Sequence, residues 1–352
     1  MRCFRQSEGM PVRNIQPKPT LEHGKRREFL ASASRLLLAT GLAPLAACGT
    51  VDEPTLNIAT NQWIGYELLY LGRELKQVDA HDPDGRVRLV ELLSNSDSLQ
   101  ALAAGTVQGA GLTLDEALSA RASGLDLKVV LIFDASAGAD VLLTQPGITQ
   151  LTGLRGKRIG VERTGVGALM LDAVLRQAGL KPSEVEVIDL TVDRHLTAFK
   201  NRQLDAVITF EPIASLVAQA GGLRLFDSRA IPGGIVDVLA IKTQALASSP
   251  RAVRQLLADY FASLTYLNSH PQDALKRMAP RLNLTPAELQ AGYQGIKLLH
   301  LEDNHRLLAG SPPPLESAAS TLAGLMLRQR LLSHPISLSE FCDNRFLPEL
   351  PS

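Results

Sequence analysis

Residues 94–116 read SNSDSLQALAAGTVQGAGLTLDE, and the order of residue types in this stretch decides the fold class. Ser94, Asn95 and Ser96 put short hydroxyl and amide side chains just ahead of a helix whose apolar face is Leu99, Leu102 and Ala103. Gly105 can take the left-handed conformation that ends that helix. Residues 107–112 form a short strand of small residues, and Thr113-x-x-Glu116 has the capping-box pattern that starts the next helix. Two strand-to-helix junctions therefore fall close together. In an open α/β sheet such junctions lie at the carboxyl ends of the strands, where ligands bind. The unpaired N–H groups and positive dipole ends found there suit anions or polar carbonyls.

The alternation continues outward. Strands are expected at 56–60 and 87–92, separated by a loop at 61–66, a helix over 67–75 and a polar turn at 81–85. Residues 127–133 are apolar nearly throughout, the pattern of a central parallel strand buried on both faces. DASAGAD at 134–140 then breaks the rhythm with small residues, as a crossover between two lobes would. Further strands are expected at 141–144, 159–161, 185–190, 206–209, 223–226 and 236–241, with helices starting near Thr164, Leu196 and Ile213 and an irregular segment at 228–234. Strands alternating with helices imply βαβ units and a parallel sheet. From residue 251 the chain reads as helical: 251–268, 271–280, 285–299 and 314–332.

A net charge of zero and a single Trp argue against a dedicated nucleic-acid binder, which would be basic and would need stacking platforms. Residues 25–30, KRREFL, form a charged segment with a twin-arginine pair, followed by a short apolar run at 36–45 and then Leu45-Ala46-Ala47-Cys48. That order is a secretory signal; the apolar run is too short for a membrane span. The Cys-terminated site resembles a bacterial lipobox, which would leave Cys48 as a lipid-modified N-terminus after removal of 1–47, with 48–53 as a tether. Met1 and Met10 are both possible starts, and the twin-arginine and general export routes both stay open. Only Cys342 remains in the mature body, so no disulfide framework is expected, and Cys342 reads as a packing residue.

Together with the lipobox, Trp63-x-Gly65-Tyr66, the 94–116 block, Leu154-x-Gly156-Lys157-x-Ile159-Gly160-Val161, Asp205-Ala206-Val207 and Phe210-Glu211-Pro212 carry a resemblance. The chain resembles the solute-binding proteins of ABC importers, specifically their nitrate/sulfonate/taurine and thiamine-pyrimidine-precursor group. The resemblance implies an α/β, two-lobed periplasmic-binding-protein type II fold with two interlobe crossovers. Lobe 1 would be 54–139 with 236–340, lobe 2 would be 140–235, and 341–352 a tail. It further implies a small organic ligand of the sulfonate, nitrate or taurine class or the amine or pyrimidine class. The ligand would be held by hinge closure in a monomer that docks on an inner-membrane ABC permease. No cofactor, metal or nucleic acid is expected, and the location would be the periplasmic side of a bacterial membrane, through the lipid anchor.

Candidate ligand residues sit at the expected strand ends. Trp63 could stack on a ligand or anchor the core of the first lobe, and Tyr66 could add a hydroxyl or lie on the exposed surface. Ser94 and Asn95 could bond a ligand or cap their helix, and Thr113 and Glu116 face the same choice. Thr164 and Gly165 could form a backbone nest for an anion. Glu211 follows a strand. Asp115, Asp134, Asp140 and Asp237 would put carboxylates around the cleft, repelling a sulfonate and attracting an amine or protonated ring. His195 reads as an exposed helix-terminal residue rather than a ligand contact. Enzyme signatures are missing: no Gly-x-Ser-x-Gly, no His-Glu-x-x-His and no Walker loop. A non-enzymatic binding protein is expected. A sensory binding lobe and an enzyme of the same fold are the alternatives.

Overall fold

The computed structural model describes residues 53–79, 86–163, 165–231 and 233–350. The expected signal and Cys48, the 81–85 turn and Thr164 lie outside the described residues. In chain order the first elements are β1 (Leu56–Thr60), α1 (Glu67–Asp79), β2 (Val87–Glu91), α2 (Asn95–Ala104), β3 (Gly109–Thr113), α3 (Leu114–Ala122) and β4 (Leu127–Ser136). Next come β5 (Asp140–Thr144), β6 (Arg158–Val161), α4 (Gly165–Ala178), β7 (Glu186–Asp189), α5 (Val192–Lys200), β8 (Ala206–Phe210), α6 (Ile213–Gln219) and β9 (Leu223–Asp227). The chain closes with β10 (Val236–Lys242), α7 (Thr243–Ser248), α8 (Pro250–Ser269), α9 (Pro271–Met278), α10 (Pro286–Tyr293), β11 (Ile296–Leu298), α11 (Leu301–Leu308) and α12 (Pro314–Arg328).

The strands build two sheets, in the orders β11-β4-β10-β3-β1-β2 and β7-β6-β8-β5-β9. Both follow one plan. Three strands run parallel (β2, β1, β3 and β7, β6, β8), and the next is antiparallel to them: β10 in the first sheet, β5 in the second. These two strands are the ones the chain enters from the other sheet. A strand arriving across the gap starts at the edge where its parallel neighbours end, so it must run the other way. Its first residues therefore lie beside the carboxyl ends of its neighbours.

The 94–116 block folds as its residues require. Ser94 Oγ accepts from the Asp97 N–H at 3.0 Å, and Gly105 closes α2 at φ 79°. The Thr113 N–H donates to Glu116 Oε2 at 3.0 Å, so Glu116 begins α3 as a capping partner. The core of the first sheet packs Tyr66 at a tilt against Phe133 and Phe133 edge-on against Tyr260, with ring centroids 4.9 and 5.3 Å apart. Each such ring, fully buried, contributes about 1.5–3 kcal/mol of apolar transfer. The Arg281 guanidinium lies over the Tyr70 ring and pairs with buried Glu67, tying the C-terminal helices to α1.

Three expectations need correction. Residues 127–133 were expected to be a central parallel strand; β4 is interior, but both its neighbours, β10 and β11, are antiparallel to it. An apolar run reports burial on both faces and not strand direction. The 134–140 stretch is not irregular throughout: Asp134 belongs to β4 and Asp140 opens β5, leaving only 137–139 as connection. The helix expected over 285–299 ends at Tyr293, and Ile296–Leu298 pairs with β4 instead. Pairing with a remote strand overrides local helical pattern there. Cys342 is half-buried, with its backbone bridged to Val129, and burial pushes its thiol up to about 12.

Candidate functional site

The two sheet edges carry acids. On β10, Asp237 lies opposite Thr113 of β3 and Asp134 of β4. On β5, Asp140 lies opposite Phe210 of β8. The antiparallel insertion of β10 and β5 puts each acid against strand ends that already carry polar residues. Trp63, from the loop after β1, donates its indole N–H to Asp134 Oδ2 at 3.1 Å and meets Phe210 edge-on, centroids 5.7 Å apart. That aromatic contact joins the two sheets. Tyr66 donates its hydroxyl to Asp237 Oδ1 at 2.9 Å, so Tyr66 is buried and not a surface residue. Asn95 donates to Glu116 Oε1 at 2.7 Å and accepts from the side chain of Asn61.

These bonds leave many acceptors over. Among the described residues, Asp134 Oδ1, Asp140 Oδ2, Thr209 Oγ1, Asp237 Oδ2 and His195 Nδ1 are buried with no donor or acceptor from the rest of the fold, and Asp134 and Asp237, which face each other, can bond one another when one is protonated. Apart from the Thr209 hydroxyl and the acids that hold protons, these are acceptors. An unpaired buried polar group costs about 1–3 kcal/mol, more when charged, so the fold carries a large uncompensated demand for donors here. The carboxyls respond by holding protons. Burial, and then the charges of Asp115 and Glu211, push Asp140 up to about 7. Burial also raises Asp134, and it raises Asp237 further because Asp134 and Asp140 face it. Burial likewise raises Asp115, and for Glu116 the neighbouring Asp115 adds to it. Burial holds His195 down to about 4. Its ring is therefore neutral near pH 7, with Nε2–H donating to Leu190 O at 2.8 Å and Nδ1 left as an acceptor.

Two adjoining cavities occupy the junction of the sheets. One, of about 20 Å³, is lined by Glu162, Met170, His195 and Thr209; the other, of about 10 Å³, by Asn61, Trp63, Tyr66, Thr113 and Asp237. Asn95, Asp140, Val166 and Phe210 line both. Each has room for about one water, too little for an organic solute in this arrangement of the sheets. A larger cavity of about 280 Å³ lies between α1 and α9 and shares no lining residue with these two. Of its three lining arginines, Arg73, Arg277 and Arg281, two pair with acids: Arg277 with Glu74 and Asp273, and Arg281 with Glu67 and Glu91.

The expected site residues divide accordingly. Trp63, Tyr66, Asn95, Thr113, Asp140 and Asp237 line the cavities, and Asp134 and Glu116 back them through Trp63 and Asn95. Ser94 does not line either cavity; its hydroxyl is used in capping α2. Glu211 is turned away: it accepts from the Ser215 N–H at 3.0 Å and pairs with Arg224 at 3.3 Å. Gly165 contributes space, since a Cβ there would stand 2.2 Å from Glu116 Cγ and 2.7 Å from Asp115 Oδ2. His195, expected to be exposed and not a ligand contact, is buried and lines one cavity. Sequence reasoning passed over Asn61, Glu162, Thr209 and Met170. All but Met170 sit at or just past a strand end, the signal that picked out the others.

A family model described as NMT1/THI5-like matches residues 86–274. The chain belongs to the NMT1/THI5-like family. Within it, the chain is 25% identical over 287 residues to a provisionally named binding protein of Brucella abortus strain 2308, covering 79% of this chain and 86% of that one. It is 24% identical over 267 residues to a provisionally named aliphatic-sulfonate-binding protein of Escherichia coli K12, covering 71% and 81%. Among solved structures, the alkanesulfonate-binding protein of Xanthomonas axonopodis pv. citri bound to MOPS superposes with a TM-score of 0.69 at 20% identity, over 81% of this chain and 96% of that one. That likeness shows the two-lobed periplasmic-binding fold. Among the described residues of this NMT1/THI5-like protein, no helix is long and apolar enough to cross a membrane, and no group of three or more potential metal ligands is present.

Proposed function

We propose that this protein is the lipid-anchored solute-binding component of an ABC importer, acting as a monomer on the periplasmic side of the membrane and without catalysis. Its lobes are 54–139 with 236–340 and 140–235, hinged at the two crossovers. Its solute is a small organic cation or donor-rich nitrogen compound, an amine or protonated pyrimidine, and not a sulfonate or nitrate. Family membership, the fold and relatives named as binding proteins support the transport role. One observation supports the choice of solute: the unpartnered side-chain atoms at the sheet junction are mostly carboxyl oxygens, which turn into acceptors for a cation once their protons leave.

The chemistry follows from that inventory. A cation entering between the sheets offers N–H donors to Asp134, Asp140 and Asp237, while Trp63, Tyr66 and Phe210 supply aromatic walls for its positive face. The carboxyls release their protons as it binds. Contacts made to both sheets favour the closed arrangement. Moving a 1:99 equilibrium to 99:1 needs about 5.5 kcal/mol of differential affinity. Two or three hydrogen bonds to charged groups, at about 1.5–3 kcal/mol each, supply it. The test is a panel of amines, aminopyrimidines, alkanesulfonates, taurine and nitrate, read by thermal shift and Trp63 emission. Stabilisation by nitrogen cations supports the assignment. Stabilisation by sulfonates or nitrate alone overturns it.

A further inference from the structure

Glu162, the first residue after β6, stands where helix ends from both sheets converge. Its Oε1 accepts from the Ser96 N–H at 2.7 Å and the Ser96 hydroxyl at 2.6 Å, both in the first turn of α2. Its Oε2 accepts from the Val192 N–H at 3.3 Å, at the start of α5. Helices α2 and α5 have 10 and 9 residues, enough to present a positive dipole end. The donors come from opposite sides of the sheet junction, and the Glu162 side chain fills the point where they meet. The residue is 6% exposed and lines the larger junction cavity, which Thr209 also lines with a hydroxyl that has no partner.

Two backbone N–H groups at helix starts and one serine hydroxyl, converging from two lobes, form the donor set of an oxyanion site. Here a side chain of the protein supplies the oxyanion. We propose that Glu162 is a tethered anion that fills this position and thereby excludes sulfate- and sulfonate-type solutes from the cleft, so that removing its carboxylate creates an anion site. The inference rests on the junction being where solute is held. It gives Glu162 a share in the specificity against anions beside that of the junction acids, by occupying the donors an anion would need, independently of which cation binds. Gly167 keeps the fit: a Cβ there would stand 1.9 Å from the Glu162 carbonyl oxygen.

The probes are sodium sulfate and methanesulfonate, titrated by calorimetry against a sodium chloride control of equal ionic strength. The proteins are the wild type, Glu162→Ala and Glu162→Asp. The wild type and Glu162→Asp, which keeps the charge, show no anion binding. Glu162→Ala binds sulfate at least about tenfold more tightly than wild type, the scale of one charge-assisted contact set, and adding Ser96→Ala reverses the gain. Glu162→Ser carries the same expectation if the alanine variant does not fold. Folded Ala or Ser variants without the gain overturn the proposal, and so does a wild type that binds either anion. An anion gain in Glu162→Ala with no nitrogen compound bound by the wild type leaves this proposal standing and removes the cation assignment.

Discussion

Asp140→Asn isolates the energetic cost of the acidic junction. Asp140 begins β5, is 4% exposed and has an Oδ2 without a partner. Burial raises its folded pKa from 3.8 to about 7. Between those values the folded chain holds a proton that the unfolded chain has lost, so stability falls as pH rises through this window and levels off above it. About three units at about 1.4 kcal/mol each set an upper bound of about 4 kcal/mol, and parting of the sheets to admit water lowers it to roughly 1–3 kcal/mol. The asparagine variant has no ionisable group and nearly the same shape. The difference in unfolding free energy, variant minus wild type, is therefore expected to grow by about 1–3 kcal/mol from pH 4 to pH 8. Urea unfolding at half-unit pH steps measures it. Because each protein is referenced to itself at pH 4, any constant effect of the amide cancels. A difference that stays flat across the window would refute the claim that Asp140 is buried as an uncompensated acid. The same variant is expected to bind a nitrogen cation about tenfold or more weakly, through loss of one charged hydrogen bond.

Trp63→Phe removes the sole tryptophan and the N–H that satisfies Asp134. It is expected to abolish the ligand-dependent emission change and to weaken cation affinity about tenfold by calorimetry. Gly165→Ala adds a methyl group against Glu116 and Asp115 at a φ of 30°, so it holds the sheets apart. Small-angle scattering should show no compaction on adding ligand, and affinity should fall by about 1.4 kcal/mol or more, a factor of about ten; unchanged compaction would remove Gly165 from closure. Cys48→Ser, expressed with the full N-terminal segment, is expected to move the protein from the membrane fraction to the soluble periplasm, read by fractionation.

Much of the architecture was legible because hydrophobic period and junction chemistry are local. Ser94, Gly105 and the Thr113–Glu116 pair fix helix boundaries through contacts three or four residues apart, and those contacts form as expected. The alternation of strands and helices was enough for the α/β class. What sequence reasoning missed depends on residues far apart. Strand direction in β4 and the existence of β11 are set by partners more than 90 positions away, and no local period encodes them.

The site divides along the same line. By itself, the sequence placed Trp63, Asn95 and Thr113 at strand ends, because strand ends are marked by where apolar runs stop, and Asp134, Asp140 and Asp237 near the crossovers. It also led to the expectation that such acids, if turned inward, would disfavour a sulfonate. Only the tertiary structure decided which acids are spent and which are not. Glu211 meets Arg224, Glu116 caps α3, and Glu162 binds the starts of two helices from opposite sides. Asp134, Asp140 and Asp237 keep oxygens with no donor from the rest of the fold. A carboxylate's availability is set by the donors within about 3 Å of it; Glu116 and Glu211 find donors three and four residues away, while those of Glu162 come from Ser96 and Val192, 66 and 30 positions distant, and meet only when the two sheets come together.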